Sequence, residues 1–168
     1  DLFFDDVRVP VSNLLGASEG RGLFQMMDQL PYERLAIGLS AVAAAERAFE
    51  ITTRYVKERQ AFGKPLMDLQ HTRFKLAECK TAAHVGRLFV DHCIEQHIAG
   101  RFDAVTAAMA KYWLTECEGR ILDDCVQLHG GYGYMQDFEI ARMWADGRAQ
   151  RLYAGSNEIM KEAVGWSL

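Results

Sequence analysis

The stretch PYERLAIGLSAVAAAERAFEITTRYVKE, residues 31–58, decides the fold. Within it Leu35, Leu39, Val42, Phe49, Thr53 and Val56 recur at steps of four and three, with Glu46 at the missing step. A second stripe, Ile37, Ala41, Ala44, Ala48, Ile51 and Tyr55, runs beside the first. Two adjoining stripes make one wide apolar face, and its alanines let a neighbouring helix approach closely. The spacing predicts one long helix, opened by Pro31 in its first turn, where a missing N–H is no loss. At 1.5 Å per residue such a helix is ~40 Å long.

Outward from this helix the same periodicity repeats. The next helix takes Asp68 as N-cap and Gly100 as stop, with Leu69, Leu76, Ala83, Val90 and His97 on one heptad line. A third begins at Asp103, carries Ala107, Ala110, Leu114, Cys117, Ile121, Cys125 and Leu128, and ends at Gly130-Gly131. A shorter helix is expected from Asp137 to about Arg148, and a last one opens at Ser156. On the N-terminal side, residues 12–22 are polar and glycine-containing and read as a loop, after a short apolar segment through Phe24 and Met27 is set aside as a turn. Leu2 to Pro10 is rich in β-branched and aromatic residues and reads as one strand. A single strand satisfies neither its backbone nor its apolar face, so its partner must lie outside this sequence. Long helices joined by short loops pack as antiparallel neighbours. The expected fold is therefore all-α, an up-and-down four-helix bundle over residues 21–168, with a short N-terminal strand and linker over residues 1–20.

Composition narrows the function classes. The chain has 168 residues, 49% hydrophobic and 25% charged, a balance that belongs to globular domains. Its 19 basic against 23 acidic residues leave a net charge of −4, which argues against a nucleic-acid binder that works by neutralising phosphates. Charges interrupt every apolar run, so neither a membrane span nor a secretory leader is expected. The chain starts at Asp1, as a piece of a longer protein would. Cys79, Cys93, Cys117 and Cys125 form no C-x-x-C pair and all fall in helical patterns, which suits small buried hydrophobes in a reducing compartment. His92, Cys93 and His97 share a helix, but no second ligand cluster accompanies them and no metal is expected. The absence of any Glu-x-x-His string argues against a di-iron bundle.

Four strings carry chemistry. Glu33 lies between Tyr32 and Arg34 at the expected start of the long helix, where a glutamate serves either the helix dipole or a substrate proton. Arg59 to Pro65, with Gln70 beyond, forms the corner between the first two helices and is either a solvated basic cluster or a phosphate grip. Gln127-Leu128-His129-Gly130-Gly131-Tyr132-Gly133-Tyr134 ends a helix rather than following a strand, so it is no Rossmann fingerprint. Its glycines make either a helix stop or a place of close backbone approach to a ligand. Tyr153-Ala154-Gly155-Ser156-Asn157-Glu158 opens the last helix with its first N–H groups unpaired, a plain cap or an anion and carbonyl site.

Taken together and in order, these strings resemble the C-terminal part of an acyl-CoA dehydrogenase. The resemblance also draws on Phe3-Phe4-Asp5-Asp6-Val7-Arg8-Val9-Pro10, Lys57-Glu58-Arg59-Gln60-Ala61-Phe62-Gly63 and Gly155-Ser156-Asn157-Glu158-Ile159-Met160-Lys161-Glu162, and covers essentially the whole chain. It implies an FAD enzyme that introduces an α,β double bond into an acyl-CoA thioester and passes electrons to an electron-transfer flavoprotein. Residues 1–20 are then the end of a middle β domain and its linker, and residues 21–168 the helical C-terminal domain. By resemblance Arg59, Phe62, Gln70 and Gln127, Leu128, His129, Gly130 and Gly131 contact FAD, those outside Phe62 that of a neighbouring subunit. Ser156, Asn157 and Glu158 belong to the subunit's own FAD segment, and Arg34, Ala154 and Gly155 to the substrate site. The cofactor is shared across a homodimer, usually within a homotetramer, in the bacterial cytoplasm or the mitochondrial matrix.

Many members of that family carry the catalytic base in a Tyr-Glu-Gly-Thr string, which here reads Tyr153-Ala154-Gly155-Ser156. Alanine takes no proton. The long-chain and isovaleryl branches place the glutamate in a string similar to Leu30-Pro31-Tyr32-Glu33-Arg34-Leu35, so the resemblance implies Glu33 as the base that removes the α-proton while hydride leaves to the flavin. The Ala154 N–H, with a flavin ribityl hydroxyl, would hold the thioester carbonyl. Two rival readings stand beside this one: a flavin oxidase or monooxygenase on the same fold, and a non-catalytic helical oligomerisation module.

Overall fold

The computed structural model describes residues 1–168. Five α-helices account for most of it: α1 (Gly22–Glu58), α2 (Gln70–Ile98), α3 (Ala104–His129), α4 (Glu139–Ala149) and α5 (Asn157–Gly165). Two short strands, β1 (Gln60–Ala61) and β2 (Lys64–Pro65), pair antiparallel between α1 and α2. The chain divides into two compact units, Asp1–Leu30 and Pro31–Leu168.

The first unit holds the expected strand region, and no strand forms there. Residues 1–10 are irregular, followed by a 3-10 turn at Val11–Asn13. Leu2, Phe3, Phe4, Val7, Val9 and Val11 are all exposed. The physical reason is the one the sequence predicts: without a second strand in the chain, the segment has nothing to pair with. Nearer α1, the Gln25 side-chain amide donates to Leu15 O at 3.0 Å.

Pro31 does not open the long helix. Helix α1 begins at Gly22 and carries Pro31 inside it. Leu23 to Leu30 contain no helix breaker, and Pro31 removes only the one N–H that would bond to Met27. Glu33 consequently sits several turns from the helix N-terminus, where the dipole gives a glutamate no advantage.

In the second unit the helices pair as an up-and-down bundle. Leu35, Ala41 and Val42 of α1 meet Val90 and Cys93 late in α2 and Ala110 and Leu114 early in α3. Ala45 and Ala48 meet Cys79 and Ala83 early in α2, with Cys117, Ile121, Leu122 and Cys125 late in α3 and Ile140 of α4. That order makes α2 antiparallel to both α1 and α3. Leu114 fills the point where the three converge, because Gly38 of α1 leaves room: a Cβ there would stand 2.9 Å from Leu114 Cδ1. The fourth side is made by two short helices, α4 and α5, each packed on α3. All four cysteines are buried and free, as small hydrophobes. Glu46, the charged step in the apolar stripe, is absorbed by a two-pronged bond from Arg87 of α2, at 2.9 and 2.6 Å.

Local signals mostly mark the ends. Asp103 caps α3 by accepting from the Val105 and Thr106 N–H groups, and Gly130 closes that helix with φ 60°. Asp68 is not the cap of α2: it lies in a 3-10 turn at Leu66–Asp68, and Leu69 takes the N-cap position without a side-chain bond. Helix α4 starts at Glu139, two residues after the expected Asp137. His97, expected on the inner line of α2, is exposed near its end and lies beside Tyr32 and Phe102.

Candidate active site

Between α4 and α5 the chain makes a tight turn in which Ala154 and Gly155 both adopt left-handed backbone, with φ 52° and 92°. A Cβ at Gly155 would also stand 2.6 Å from Met160 Cε, so the end of that methionine would have to shift. Both carbonyls of the turn are held by cations. Arg34 Nε of α1 donates to Ala154 O at 3.5 Å, and Lys111 Nζ of α3 donates to Gly155 O at 2.8 Å. Lys111 Nζ also donates to Asn157 Oδ1 at 2.8 Å. Asn157 Nδ2 in turn donates to Thr115 Oγ1 at 3.1 Å and to Tyr112 O at 3.3 Å. Lys111 and Thr115 have no solvent exposure and Asn157 almost none.

Burial pulls the Lys111 ammonium down to about 8; the Arg34 charge pushes the same way and Glu158 opposes. Burial also lowers Arg34, against the neighbouring Glu33 charge. On the other side of the turn, the N–H groups of Ala154, Gly155 and Ser156 donate to no backbone acceptor in the chain. Ser156 is the N-cap residue of α5, and its side chain makes no capping bond. Glu158, in the first turn of α5, is exposed, and its carboxyl is held low first by its own backbone N–H and then by the Ser156 hydroxyl. Such a row of free donors at a helix start suits an anionic or carbonyl oxygen.

A second feature is a groove of 550 Å³ lined by Tyr55, Arg59, Leu66, Gln127, Leu128, His129, Gly130, Gly131, Tyr132 and Met135. Its floor is fixed by His129, whose ring stacks on Tyr55 with centroids 4.1 Å apart while Nδ1 lies 2.8 Å from Cys125 O. Tyr55 Oη donates to His129 O at 3.2 Å. Burial lowers the pKa of that imidazole, partly offset by the Cys125 carbonyl, so the ring is neutral at pH 7. The Arg59 guanidinium lies 5.4 Å from the Tyr132 ring centroid, a cation on an aromatic face at the rim. Gly131 has open space around it, so a ligand can approach its backbone.

The structure thus brings Arg59 together with Gln127, Leu128, His129, Gly130 and Gly131, and brings Arg34 together with Ala154 and Gly155. Phe62 and Gln70 do not line the groove. Phe62 sits at the tip of the β1–β2 hairpin, 91% exposed, and Gln70 is the exposed first residue of α2. The Phe62-Gly63 loop has positive φ at both positions, as a type I′ turn requires. A bulky aromatic is a poor choice there, and backbone strain of this kind collects at functional sites. Ala154 is strained in the same way. Asn157 points inward: its side chain is spent on the α3 network, and its N–H donates to Arg151 O at 3.1 Å. Glu33 is exposed and makes no ion pair. Sequence reasoning missed Lys111 and Thr115. Their signal is two polar residues four apart beside the apolar line Ala107, Ala110, Leu114, on the face that must be buried.

Residues 20–168 match the family described as "Acyl-CoA dehydrogenase, C-terminal domain". A relative named long-chain specific acyl-CoA dehydrogenase, mitochondrial, from Sus scrofa is 50% identical over 164 residues, 98% of this chain and 38% of the relative. The crystal structure of an acyl-CoA dehydrogenase from Geobacillus kaustophilus superposes with a TM-score of 0.92 at 45% identity, covering 98% of this chain and 43% of that one. An acyl-CoA dehydrogenase from Bacillus anthracis, solved in complex with FAD, superposes with a TM-score of 0.88 at 29% identity, covering 97% of this chain and 31% of that one. The chain spans about two-fifths of the length of the first two.

Proposed function

The chain belongs to the acyl-CoA dehydrogenase family, as its C-terminal domain, and from that premise we propose that it completes the flavin and thioester sites of an enzyme that oxidises an acyl-CoA at its α,β bond. Residues 1–20 are read as the end of the preceding β domain and its linker. The observation that carries the proposal is the contact of Arg34 with Ala154 O, which sets the segment bearing Glu33 against the turn bearing the free N–H groups.

The residues present fit FAD. Arg59 supplies a fixed cation for a phosphate, and Tyr132 an aromatic face. Gly130 and Gly131 supply uncovered backbone, and the start of α5 supplies unpaired N–H donors. FAD, when bound, supplies a two-electron acceptor for the β-hydrogen. Arg59, Gln70 and the Gln127–Gly131 run are assigned to the FAD of a neighbouring subunit, which makes the enzyme a homo-oligomer, and the exposed Phe62 to a place near the cofactor. Ser156, Asn157 and Glu158 form the segment assigned to the FAD of the subunit itself, with Asn157 tying that segment to α3.

Glu33 is the base. Its carboxylate takes the α-proton of the thioester, and Ala154, lacking any acid, leaves that position free of a competing base. The Ala154 N–H binds the thioester oxygen and stabilises the negative charge that gathers there as the proton leaves. Arg34 holds the turn and adds positive charge beside it. An electron-transfer flavoprotein is the proposed acceptor.

The test is anaerobic mixing of the full-length, FAD-loaded enzyme with acyl-CoAs of graded length. Flavin bleaching is expected with one chain-length class, and in Glu33→Gln it slows by at least ~10²-fold with FAD still bound. Bleaching of that variant at the normal rate would remove Glu33 from the role. No bleaching by any thioester would overturn the dehydrogenase reading and favour a flavin oxidase or monooxygenase.

A further inference from the structure

The geometry points to Lys111 as a positioning residue of the active site: its ammonium holds the Gly155 carbonyl inward and thereby turns the Ser156 N–H, in the same peptide plane, outward to the ligand. The inference rests on the proposed site at residues 154–156 and concerns what keeps that site in shape.

A trans peptide is a rigid plane whose C=O and N–H point in opposite directions. Lys111 Nζ binds Gly155 O at 2.8 Å, so the N–H in the same plane, that of Ser156, faces away from α3. Arg34 acts one plane earlier, taking Ala154 O and leaving the Gly155 N–H outward. Neither orientation is what the local sequence prefers. Ala154 with φ 52° is costly for a residue with a Cβ, and left to itself the turn would relax. Lys111 resists that relaxation from a fixed base. It lies on α3 with no solvent exposure, and its second bond goes to Asn157 Oδ1 at 2.8 Å. Asn157 is in turn locked to Thr115 and Tyr112 O of the same helix. One ammonium thus ties the last carbonyl of the turn and the first residue of α5 to one rigid element.

No carboxylate shares the pocket as a hydrogen-bond partner, so a protonated Lys111 has only neutral acceptors. The charged groups facing it are Arg34 from α1 and the exposed Glu158 from α5. A charged donor makes the stronger bond to a carbonyl, and the tie is therefore tightest while the amine keeps its proton. With its pKa drawn down to about 8, that proton is lost just above neutral pH and the tie loosens.

The test uses the full-length, FAD-loaded enzyme and two independent readouts. Lys111→Met keeps an unbranched stem out to Cε and removes the ammonium. Deuterium uptake at the hydrogen-bonded amides of Asn157 and Met160, at the start of α5, is expected to speed up by ~10-fold or more, with α2 unchanged. The limiting rate of flavin reduction by acyl-CoA is expected to fall roughly 10²-fold, the scale for a shift of about 1 Å when the turn that carries the Ala154 N–H loses its anchor. The half-saturating acyl-CoA concentration should change less than about threefold, because binding is spread over the rest of the site. In the unaltered enzyme the limiting rate should decline above about pH 8; Asn157→Asp, which places a carboxylate against the amine, should move that decline to higher pH. Unchanged uptake at Asn157 and Met160 in Lys111→Met would overturn the inference. So would a reduction rate within about twofold of the unaltered enzyme. If Lys111→Met loosens α2 as well, the pH profile decides: a flat profile, or one that Asn157→Asp leaves in place, refutes the inference. Failure of every acyl-CoA to bleach the unaltered enzyme would sink the dehydrogenase reading alone, and deuterium uptake would still judge Lys111.

Discussion

Glu118→Gln should stabilise the fold at neutral pH and leave it unchanged in acid. Glu118 is buried in α3, accepts a hydrogen bond from Gln150 Nε2 at 3.1 Å through Oε1, and leaves Oε2 without a partner. Gln150 Oε1 is likewise unpartnered. A proton on the carboxyl supplies the donor these two oxygens lack, as the amide of a glutamine would. Burial raises the carboxyl pKa to about 8, with the Arg151 charge pulling the other way. A carboxyl raised in the folded state binds a proton that the unfolded chain has already released. Stability therefore falls as pH rises from the ordinary 4.5 toward 8, and is level outside that window. At ~1.4 kcal/mol per tenfold in proton activity, the cost at pH 7 reaches up to about 3 kcal/mol. Glutamine carries no such cost. In a chain of this size ~1 kcal/mol moves the melting temperature by about 2–4 °C, so Glu118→Gln should melt several degrees higher at pH 7.5 and alongside the parent at pH 4.5. Thermal melts of both proteins across that range isolate the effect, because every other titrating group cancels in the difference. Parallel curves, or a glutamine variant less stable by the same amount at every pH, would refute the reasoning.

Two further predictions concern glycines and the hairpin. A Cβ at Gly133 would run into the backbone carbonyl of Val126, whereas one at Gly119 would meet only the guanidinium of Arg151. Gly133→Ala should therefore cost roughly 2 kcal/mol or more in denaturant unfolding and Gly119→Ala markedly less, and equal costs would count against that distinction. Phe62→Gly relieves a left-handed phenylalanine and should stabilise the hairpin by about 1 kcal/mol, yet weaken FAD retention in the full-length enzyme. Unaltered FAD retention on dilution would remove Phe62 from the cofactor site.

Helix class, the two ends of α3 and the burial of the cysteines were legible in the sequence because each depends on neighbours within a turn or two. Asp103 caps α3 through bonds to Val105 and Thr106, and Gly130 stops the same helix, both from within a few residues. The start of α1 misled, since a proline is compatible with a first turn and with a helix interior, and nothing local distinguishes the two. Leu2 to Pro10 has strand-forming residues but no partner in the chain, and propensity without pairing makes no strand. Gly147, inside α4, has its reason only in space: a Cβ there would lie 2.5 Å from Leu122 Cδ1 and 3.0 Å from Glu118 Oε1.

The sequence by itself determined the helical periods and the strings that hold chemistry, because these are matters of residue type at short spacing. The tertiary structure alone decided which strings meet. Arg34 and Ala154 lie 120 positions apart, Lys111 and Asn157 46 apart. Whether Lys111 is an ordinary surface lysine or a buried tie depends on which face of α3 the start of α5 covers. Hydrophobic burial chooses that face from the packing of all the helices at once, and a polar residue caught beneath it must then find its partners wherever the fold has placed them.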